Sequence, residues 1–387
     1  MWPSRTTLNQ GVAMKKLFLL FAAVTLAFTC GFGKANAADG KVYELKIQTS
    51  LATSSIFFKT LERTKKNIET LSQGQIKVEL LADGAIVKGM QVFDSVSEGL
   101  ITGGMSWAHW ASGKHPAAFL FSAPIGGLGL GMDQLGHMSW LFEGDGCKLL
   151  NEYYQQVLKF DIISWPVLPM GPETFGWFNE KYTTVAEMNK LTFRAPPGVP
   201  SEPFKLMGMP VVSMPGVDII PAAQRKAIDA SEWITPGEDL AMGFPDVWKH
   251  YYLEGLHQAI SIGDVYINKK WFEALPQHLQ DVINICMKAT VTDQLLNGVM
   301  VNAQALEKMV REKGVIIEST PDDYYKAFMD ACRQVVEKYN KDPFFQKVYG
   351  SILAWSKTTV PYQYRSNRVF TKMAETAMKE GVITDYK

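Results

Sequence analysis

Residues 42–82 read VYELKIQTSLATSSIFFKTLERTKKNIETLSQGQIKVELLA, and their pattern of apolar residues indicates the fold class. Apolar residues alternate with polar ones in YELKI, which is the period of a β-strand. They then recur at steps of three and four between Phe57 and Leu71, on one face of a helix that Gly74 ends. Alternation returns in QIKVELLA. Strand, helix and strand in this order predict parallel α/β winding.

The same pattern continues further along the chain. Val92, Val96 and Leu100 lie on one side of a second predicted helix, and GGMSW follows as a third short strand. TFGWFNEKY, KLTFRAPPG and GMPVVSMP are typical of strands in a second lobe, whereas AISIGDVYINKK, residues 259–270, is predicted to return to the first lobe. Two α/β lobes joined by more than one crossing strand form a cleft that opens and closes.

The C-terminal third of the chain is predicted to be helical. The segment from Pro276 to Lys313 has no internal proline and only Gly298, so it forms one long helix or two abutting ones. Thr320 and Pro321 have the pattern of a cap and first residue of a further helix.

The N-terminus carries the three-part pattern of a secretory signal. Lys15 and Lys16 form a basic start, the apolar run LFLLFAAVTLAF is too short to span a membrane, and cleavage is predicted after Ala37. Residues 1–37 hold four basic and no acidic residues, so their removal from a chain with 39 of each leaves a net charge of about −4. A chain without a basic excess is not expected to bind nucleic acid.

Cysteine spacing and motifs exclude several chemistries. Cys147, Cys286 and Cys332 are far apart and lack the spacing of a zinc site. They are expected to be small buried apolar side chains, and one disulfide in an oxidising compartment stays open as an alternative. The chain has no Walker sequence, HExxH or GxSxG elbow. GGLGLG, residues 126–131, has the wrong spacing for a dinucleotide fingerprint and is interpreted as a flexible loop.

Six segments, taken in order, cover essentially the whole mature chain: VFDSVSEGL, GPETFGWF, LTFRAPPG, MPGVDIIPAAQRKAIDASEW, VYINKKWFEALPQHLQ and DPFFQKVY. Together they resemble the substrate-binding proteins of TRAP (tripartite ATP-independent periplasmic) transporters, the DctP-like family, in the subgroup for small 2-oxo and related monocarboxylic acids. The resemblance implies an α/β two-lobe periplasmic binding protein fold with a central cleft, crossing strands and long C-terminal helices. We expect lobe I at 38–168 and about 259–285, lobe II at 169–258, and helices packing on both at 286–387.

The resemblance also implies positions for a ligand and a metal ion. The arginine that clamps the substrate carboxylate falls on Arg194, and the Glu-Trp pair that helps hold the ion falls on Glu232 and Trp233. The metal-binding Gln that usually precedes the GW strand falls on Glu173, which is a departure. Arginine suits the role because its planar fork binds a carboxylate with two parallel bonds. The alternative for Arg194 is a surface salt bridge.

The cleft walls depart from the family pattern as well. A cleft-lining aromatic of the family falls near His109 and Trp110, and Gln258 stands where a polar cleft residue is expected. The candidates for the apolar walls of the ligand site are Trp233, Trp177, Trp107 and Trp110, and ordinary core packing is the alternative for Trp107 and Trp177.

Glu173 changes the formal charge of the predicted site. With Arg194, Glu232 and a monocarboxylate ligand it gives an excess of two negative charges, whereas a Gln would leave one. A divalent ion would balance the larger excess, so Ca²⁺ is favoured over Na⁺ because it accepts carboxylate and carbonyl oxygens in irregular geometry. The alternatives are a protonated Glu173 with a raised pKa and a Glu173 turned away from the site.

These features favour an exported receptor that captures a small organic acid without altering it and delivers it to a membrane permease. A metal-dependent lyase or hydrolase that uses Glu173 and Glu232 is the enzymatic alternative. A sensor ligand domain is a third interpretation, and it would need a separate partner protein. By analogy with the family, a homodimer through the C-terminal helices is a further expectation.

Overall fold

The computed structural model of this protein describes residues 40–386. The predicted signal region and its cleavage after Ala37 lie outside the described residues. Within the described range, no helix is long and apolar enough to cross a membrane.

A five-stranded sheet has the strand order β2-β1-β3-β10-β4. β1 and β3 are parallel, as the strand–helix–strand pattern predicts, but β10 runs antiparallel to both β3 and β4. The reason is topological: β10 enters this sheet from the second one, so it arrives from the opposite direction. The strands of this five-stranded sheet are β1 Tyr43–Thr49, β2 Ile76–Leu81, β3 Gly103–Ser106, β4 Ile162–Pro169 and β10 Ile262–Asn268.

The second sheet has six short strands in the order β11-β9-β5-β8-β6-β7. β8 lies between β5, to which it is antiparallel, and β6, to which it is parallel. This position brings the end of β8 beside the end of β6. The strands of this second sheet are β5 Gly176–Phe178, β6 Phe193–Arg194, β7 Val211–Val212, β8 Ala230–Ser231, β9 His250–Tyr252 and β11 Ile316–Glu318.

Helices surround both sheets, and the segment from Pro276 onward forms one continuous helix rather than two. This helix, α11, packs against α1 and β4 and, further along, against α9. The helices are α1 Ile56–Leu71, α2 Val92–Ser97, α3 Ala118–Ser122, α4 Gln134–Glu143, α5 Gly146–Glu152, α6 Val185–Met188, α7 Glu202–Leu206, α8 Gly216–Gln224, α9 Pro236–Met242, α10 Lys269–Glu273, α11 Gln277–Lys313, α12 Asp322–Tyr339 and α13 Pro343–Lys379.

Two helix boundaries differ from the sequence prediction. α2 ends at Ser97, so Leu100 lies beyond it and is exposed instead of joining Val92 and Val96 in the core. α12 begins after Pro321, and the Thr320 hydroxyl donates to the Glu254 carbonyl at 3.2 Å instead of capping the helix.

The prediction of a flexible loop in GGLGLG is wrong. Gly126, Gly127 and Leu128 are buried and all adopt positive φ, which forms a tight left-handed turn. The Gly126 N–H donates to the Leu256 carbonyl at 2.8 Å, and a Cβ on Gly126 would approach the Cys332 Sγ to 3.0 Å. Glycine therefore serves close packing here.

The cysteines have the predicted character. Cys147, Cys286 and Cys332 are free among the described residues, with Cys286 and Cys332 buried and Cys147 half-buried.

The division of the chain into lobes with boundaries at residues 168, 258 and 285 stays a prediction.

Asp264, in the middle of β10, gives the folded protein a dependence on pH. Its Oδ2 accepts hydrogen bonds from Tyr154 at 2.7 Å and from Ser164 at 3.4 Å, and burial raises the pKa of its carboxyl from 3.8 to about 7. Because the folded pKa is the higher one, the stabilisation is complete below the unfolded pKa and is lost as pH rises through about 7.

We predict that Asp264→Asn removes this part of the pH dependence. The part of the free energy of unfolding that is linked to Asp264 should fall by about 2 kcal/mol between roughly pH 5.5 and 8.5. The total fall should therefore be smaller in the variant than in wild type by a similar amount. Chemical denaturation at both pH values measures it, with the exposed Asp246→Asn as control. Parallel curves for wild type and Asp264→Asn would contradict the prediction.

Candidate functional site

Arg194 and Glu232 form a buried ion pair at the edge where β6 and β8 end. Arg194 lies opposite Ser231 in the parallel register, and the Glu232 N–H donates to the Arg194 carbonyl at 3.3 Å, so the two side chains emerge side by side. Arg194 Nη1 donates to Glu232 Oε1, and both side chains are almost fully buried. Arg194 therefore does not form the surface salt bridge that was the alternative interpretation of this residue.

The rest of the guanidinium is also held by the protein. Arg194 Nε and Nη2 donate to the Met214 carbonyl at 3.3 and 2.9 Å, and the guanidinium lies 5.4 Å from the centroid of the Trp233 ring. A Cβ on Gly216 would come within 2.3 Å of that ring, so Trp233 packs directly on the backbone at the start of α8. These contacts fix the direction of the arginine fork.

Two further titratable residues reach the same place from the segments that cross between the sheets. Glu173 follows β4, and its N–H donates to the Gln258 carbonyl at 3.1 Å. A Cβ on Gly255 would lie 2.5 Å from the Glu173 carbonyl oxygen, so the two segments pack backbone to backbone. This packing places the fully buried His257 beside the cluster, with Nε2 at 3.4 Å from Glu173 Oε2 and 3.8 Å from Glu232 Oε2.

The protonation of this cluster follows from burial and from mutual charge. Burial raises the pKa of Glu173, and this effect exceeds the lowering by His257 and Arg194. Burial alone would lower the pKa of His257, but the neighbouring Glu173 and Glu232 carboxylates raise it above its ordinary value. Both pKa shifts favour the protonated forms of Glu173 and His257. The cluster then carries less negative charge than a count of Glu173, Glu232 and Arg194 predicts.

The donor set fits a cation. Glu173, Glu232 and His257 each offer one ligand atom, and these atoms lie within 4.8 Å of one another. Within the part of the chain that the structure describes, Glu173 Oε2 and both ring nitrogens of His257 have no hydrogen-bond partner. Carboxylate oxygen and neutral imidazole nitrogen are ordinary metal ligands, so a cation that displaced the bound protons would satisfy atoms that are otherwise buried without partners.

The other predicted cleft residues bond elsewhere. Ser122 Oγ lies 3.0 Å from His109 Nδ1 and accepts from the His109 N–H at 2.7 Å, while burial lowers the pKa of His109 to about 3 and keeps it neutral. Gln258 Nε2 donates to Ser261 Oγ at 3.2 Å. No hydrogen bond among residues 40–386 joins the side chain of His109, Trp110 or Gln258 to Arg194, Glu173 or Glu232.

The tryptophans considered as walls have different surroundings. Trp107 lies 5.2 Å from Trp110, centroid to centroid, and donates from Nε1 to Met170 Sδ at 3.1 Å. Trp177 is fully buried, stacks on Tyr251 at 3.9 Å and donates to Asp239 at 2.8 Å, so it is a core residue of the second sheet.

His257 was not among the residues predicted from the sequence. It precedes Gln258 in GLHQA, and that neighbour was selected instead. The available signal was a histidine inside a segment already expected to reach the cleft. The sequence does not show that His257 approaches Glu173 and Glu232, because this contact depends on the packing of Gly255 against the Glu173 backbone.

Two sheets linked by crossing strands, with a buried arginine and acidic cluster where the second sheet meets the crossing segments, are the arrangement expected of a two-lobe solute-binding receptor. The family model for bacterial extracellular solute-binding protein, family 7 (DctP), matches residues 47–342. The chain belongs to this family. The prediction of a DctP-like protein with a two-lobe α/β fold is confirmed, and the family consists of transport receptors, which gives the lyase or hydrolase alternative no support.

Similar proteins are known by sequence and by structure. A monocarboxylate 2-oxoacid-binding periplasmic protein of Nostoc is 26% identical over 318 residues, 81% of this chain and 84% of that protein. A TRAP transporter solute-binding protein of Bordetella bronchiseptica has a TM-score of 0.81 at 22% identity, and the match covers 88% of this chain and 99% of that one. That protein is a mixed-occupancy dimer with calcium and picolinate in one site. One from Pseudoalteromonas atlantica with sodium and pyruvate has a TM-score of 0.78 at 23% identity, covering 86% and 99%.

We predict that breaking the Arg194–Glu232 pair from one side destabilises the protein strongly. Arg194→Met leaves a buried carboxylate without its fork and should cost about 3–5 kcal/mol of unfolding free energy. Combining it with Glu232→Gln should restore part of the loss, because the unpaired charge is gone. Chemical denaturation of both single variants and the double variant measures the coupling.

Lys46→Met is the matched control, since it breaks an exposed pair with Glu79 and should leave stability unchanged. Strictly additive losses from Arg194→Met and Glu232→Gln would contradict the prediction.

Proposed function

We propose that this protein is the periplasmic receptor of a TRAP transporter, and that it captures a small monocarboxylate, a 2-oxo or 2-hydroxy acid, together with a metal ion. One observation supports this most strongly: a buried arginine fork, Arg194, lies against the acidic cluster of Glu173 and Glu232 where the second sheet meets the crossing segments. The relatives that bind 2-oxo acids, pyruvate or picolinate point to the same class of ligand. The ligand leaves unchanged and passes to the membrane permease.

Arg194 is the proposed anchor of the ligand carboxylate. Its guanidinium is held in position by the Met214 carbonyl and the Trp233 ring, so little side-chain entropy remains to be lost on binding. Glu232 shares the fork with the ligand and keeps the guanidinium charge balanced when the cleft is empty.

Glu173 and Glu232, with the Trp233 carbonyl, would hold the ion, and Ca²⁺ is favoured over Na⁺. When bound, the ion supplies positive charge that attracts the carboxylate and the 2-oxo or 2-hydroxy oxygen of the ligand. The relatives carry either calcium or sodium beside their carboxylate ligands. His257 lies next to Glu173 and Glu232, and the formal charge count did not include it. Because Ca²⁺ takes oxygen ligands, its imidazole is a neighbour of the two carboxylates and not a ligand of the ion.

Closure of the two lobes about the crossing strands would complete the site. Ligand shifts the balance towards the closed form because it contacts both lobes only there. His109, Trp110 and Gln258 would line the walls, with His109 neutral because burial lowers its pKa. Exclusion of water then strengthens each polar contact.

A homodimer through the C-terminal helices is part of the proposal. α13 exposes a series of large apolar side chains, and the Bordetella relative is a dimer. The exposed residues on α13 are Tyr362, Tyr364, Val369, Phe370, Met373 and Met378.

The test of the function is ligand capture without turnover. Purified protein should bind pyruvate in the presence of Ca²⁺, lose it when the metal is chelated, and return it chemically unchanged. Arg194→Met should weaken binding by about a hundredfold, because a charge-assisted bidentate contact is lost. Calorimetry and native mass spectrometry measure affinity, bound acid and bound metal. The exposed Arg225→Met is the matched control.

Consumption of the acid would contradict a receptor. Equal affinity of wild type and folded Arg194→Met for every 2-oxo acid tested would contradict the arginine clamp.

We predict that Glu173→Gln lowers the dependence on a divalent ion. The amide keeps the oxygen ligand but removes one negative charge, so the ratio of ligand affinity in Ca²⁺ to that in Na⁺ should fall by about tenfold. Calorimetry with pyruvate in each ion measures the ratio, and Glu180→Gln, a change at an exposed glutamate in the same lobe, serves as control. An unchanged ratio would mean that Glu173 does not select the ion.

A further inference from the structure

The segment ITPGEDL, residues 234–240, follows the Glu232-Trp233 pair directly and has no part in the proposed ligand contacts. Pro236 is the first residue of α9, and the acidic Glu238 and Asp239 occupy its first turn. Both carboxylates are buried, although an acidic first turn is normally solvated. Each therefore needs a partner inside the protein.

Asp239 ties this segment to the second sheet. Its Oδ2 accepts from Trp177 Nε1 at 2.8 Å and from the Tyr251 hydroxyl at 2.7 Å, and its Oδ1 accepts from the Ile234 N–H at 3.1 Å. Trp177 lies on β5 and Tyr251 on β9. These bonds attach the segment from Ile234 to Asp239 to the second sheet.

Glu238 reaches in the other direction, to an element of the first sheet. Its Oε1 accepts from the Ile56 N–H at 2.7 Å and from the Ser55 hydroxyl at 2.9 Å, so it caps the N-terminus of α1. α1 directly follows β1 and β2 in the first sheet packs on it. A carboxylate at a helix N-terminus is stabilised both by the free N–H groups and by the helix dipole.

Gly237 keeps the junction tight. Its N–H donates to Asn302 Oδ1 on α11 at 3.0 Å. A Cβ on Gly237 would meet Val301 at 3.0 Å, Asn302 at 3.1 Å and Ile56 at 3.6 Å. Three elements, α1, α9 and α11, therefore meet at a position where only glycine fits without displacement.

We propose that Glu238 is the closure latch of this receptor: its carboxylate locks α9 onto the N-terminus of α1 when the two lobes close over a ligand. The proposal rests on the proposed function for its ligand. Four residues separate Glu232–Trp233 from Glu238, and Asp239 makes that connection rigid, so occupation of the ion and ligand site positions Glu238 against Ser55 and Ile56. Glu238 is thus a positioning residue that stabilises the closed form without contacting the ligand.

The latch must be distinguished from a permanent cap that exists in both open and closed forms. Hydrogen–deuterium exchange of the peptide covering residues 51–60 makes this distinction, because the Ile56 amide is donated to Glu238 only when the latch is formed. In wild type, pyruvate with Ca²⁺ should slow exchange in this peptide by about tenfold. The same exchange with and without ligand would identify a permanent cap and overturn the proposal.

The variants test the residue itself. Glu238→Ala should abolish the ligand-dependent protection and weaken pyruvate binding by about tenfold, and Glu238→Gln, which keeps one acceptor oxygen, should lie between. Ser55→Ala removes the hydroxyl that donates to Glu238 and also caps the Phe57 N–H. It should reduce the ligand-dependent protection, and it replaces Glu238→Ala if that variant fails to fold. Glu187→Gln is the matched control, because Glu187 accepts from the Thr183 N–H at 2.8 Å near the start of α6, remote in sequence from the junction.

Full protection of residues 51–60 by ligand in a folded Glu238→Ala variant overturns the latch. If wild type binds none of the acids tested, the proposed function fails separately, and hydrogen–deuterium exchange of residues 51–60 in the unliganded wild type and Glu238→Ala proteins then decides the latch. Equal exchange in the two unliganded proteins supports a latch that is open without ligand, and slower exchange in wild type identifies a permanent cap and overturns the latch.

Discussion

The buried charge of Glu232 is the constraint on which the rest of this structure depends. A carboxylate out of contact with water is costly unless cations and hydrogen bonds surround it, and here Arg194 and His257 meet it from two sides. Each partner arrives on a different segment: Arg194 ends β6, and His257 lies in the segment that leads into β10. The pairing of β8 with β5 and β6 on either side therefore also places Glu232 beside Arg194.

Close backbone approaches make this convergence possible, and each one requires a missing side chain. Gly176 has φ +137° in β5, and a Cβ there would lie 2.5 Å from the Ser231 carbonyl oxygen, immediately before Glu232. Gly255 makes the corresponding approach to Glu173, and Gly216 makes it to Trp233. Thus Glu232, Glu173 and Trp233 each lie next to a glycine contact that a larger residue would disrupt. The geometry of the site therefore depends on these glycines as well as on the charged side chains.

The sequence predicts those parts of the molecule that are long enough to show a period. β1, α1 and β2 follow from alternation and from the helical spacing between Phe57 and Leu71, and α11 follows from the absence of breakers. β8 and β11 have two and three residues, too few for any period, and they take their conformation from the neighbouring strands. His257 escaped prediction for a related reason: its role depends on distances to Glu173 and Glu232, which no local pattern encodes.

The acidic residues between 232 and 239 illustrate how one short segment can serve several sites. Glu232 faces Arg194 and His257, Glu238 faces the N-terminus of α1, and Asp239 faces Trp177 and Tyr251. Because Pro236 fixes the start of α9, helix geometry sets the directions of Glu238 and Asp239 relative to each other, and the bond from the Ile234 N–H to Asp239 connects them to the loop after Glu232. In the proposed latch, a change of position at the ion and ligand site would reach the junction with α1 through this segment, because Asp239 bonds it to the second sheet while Glu238 bonds to α1.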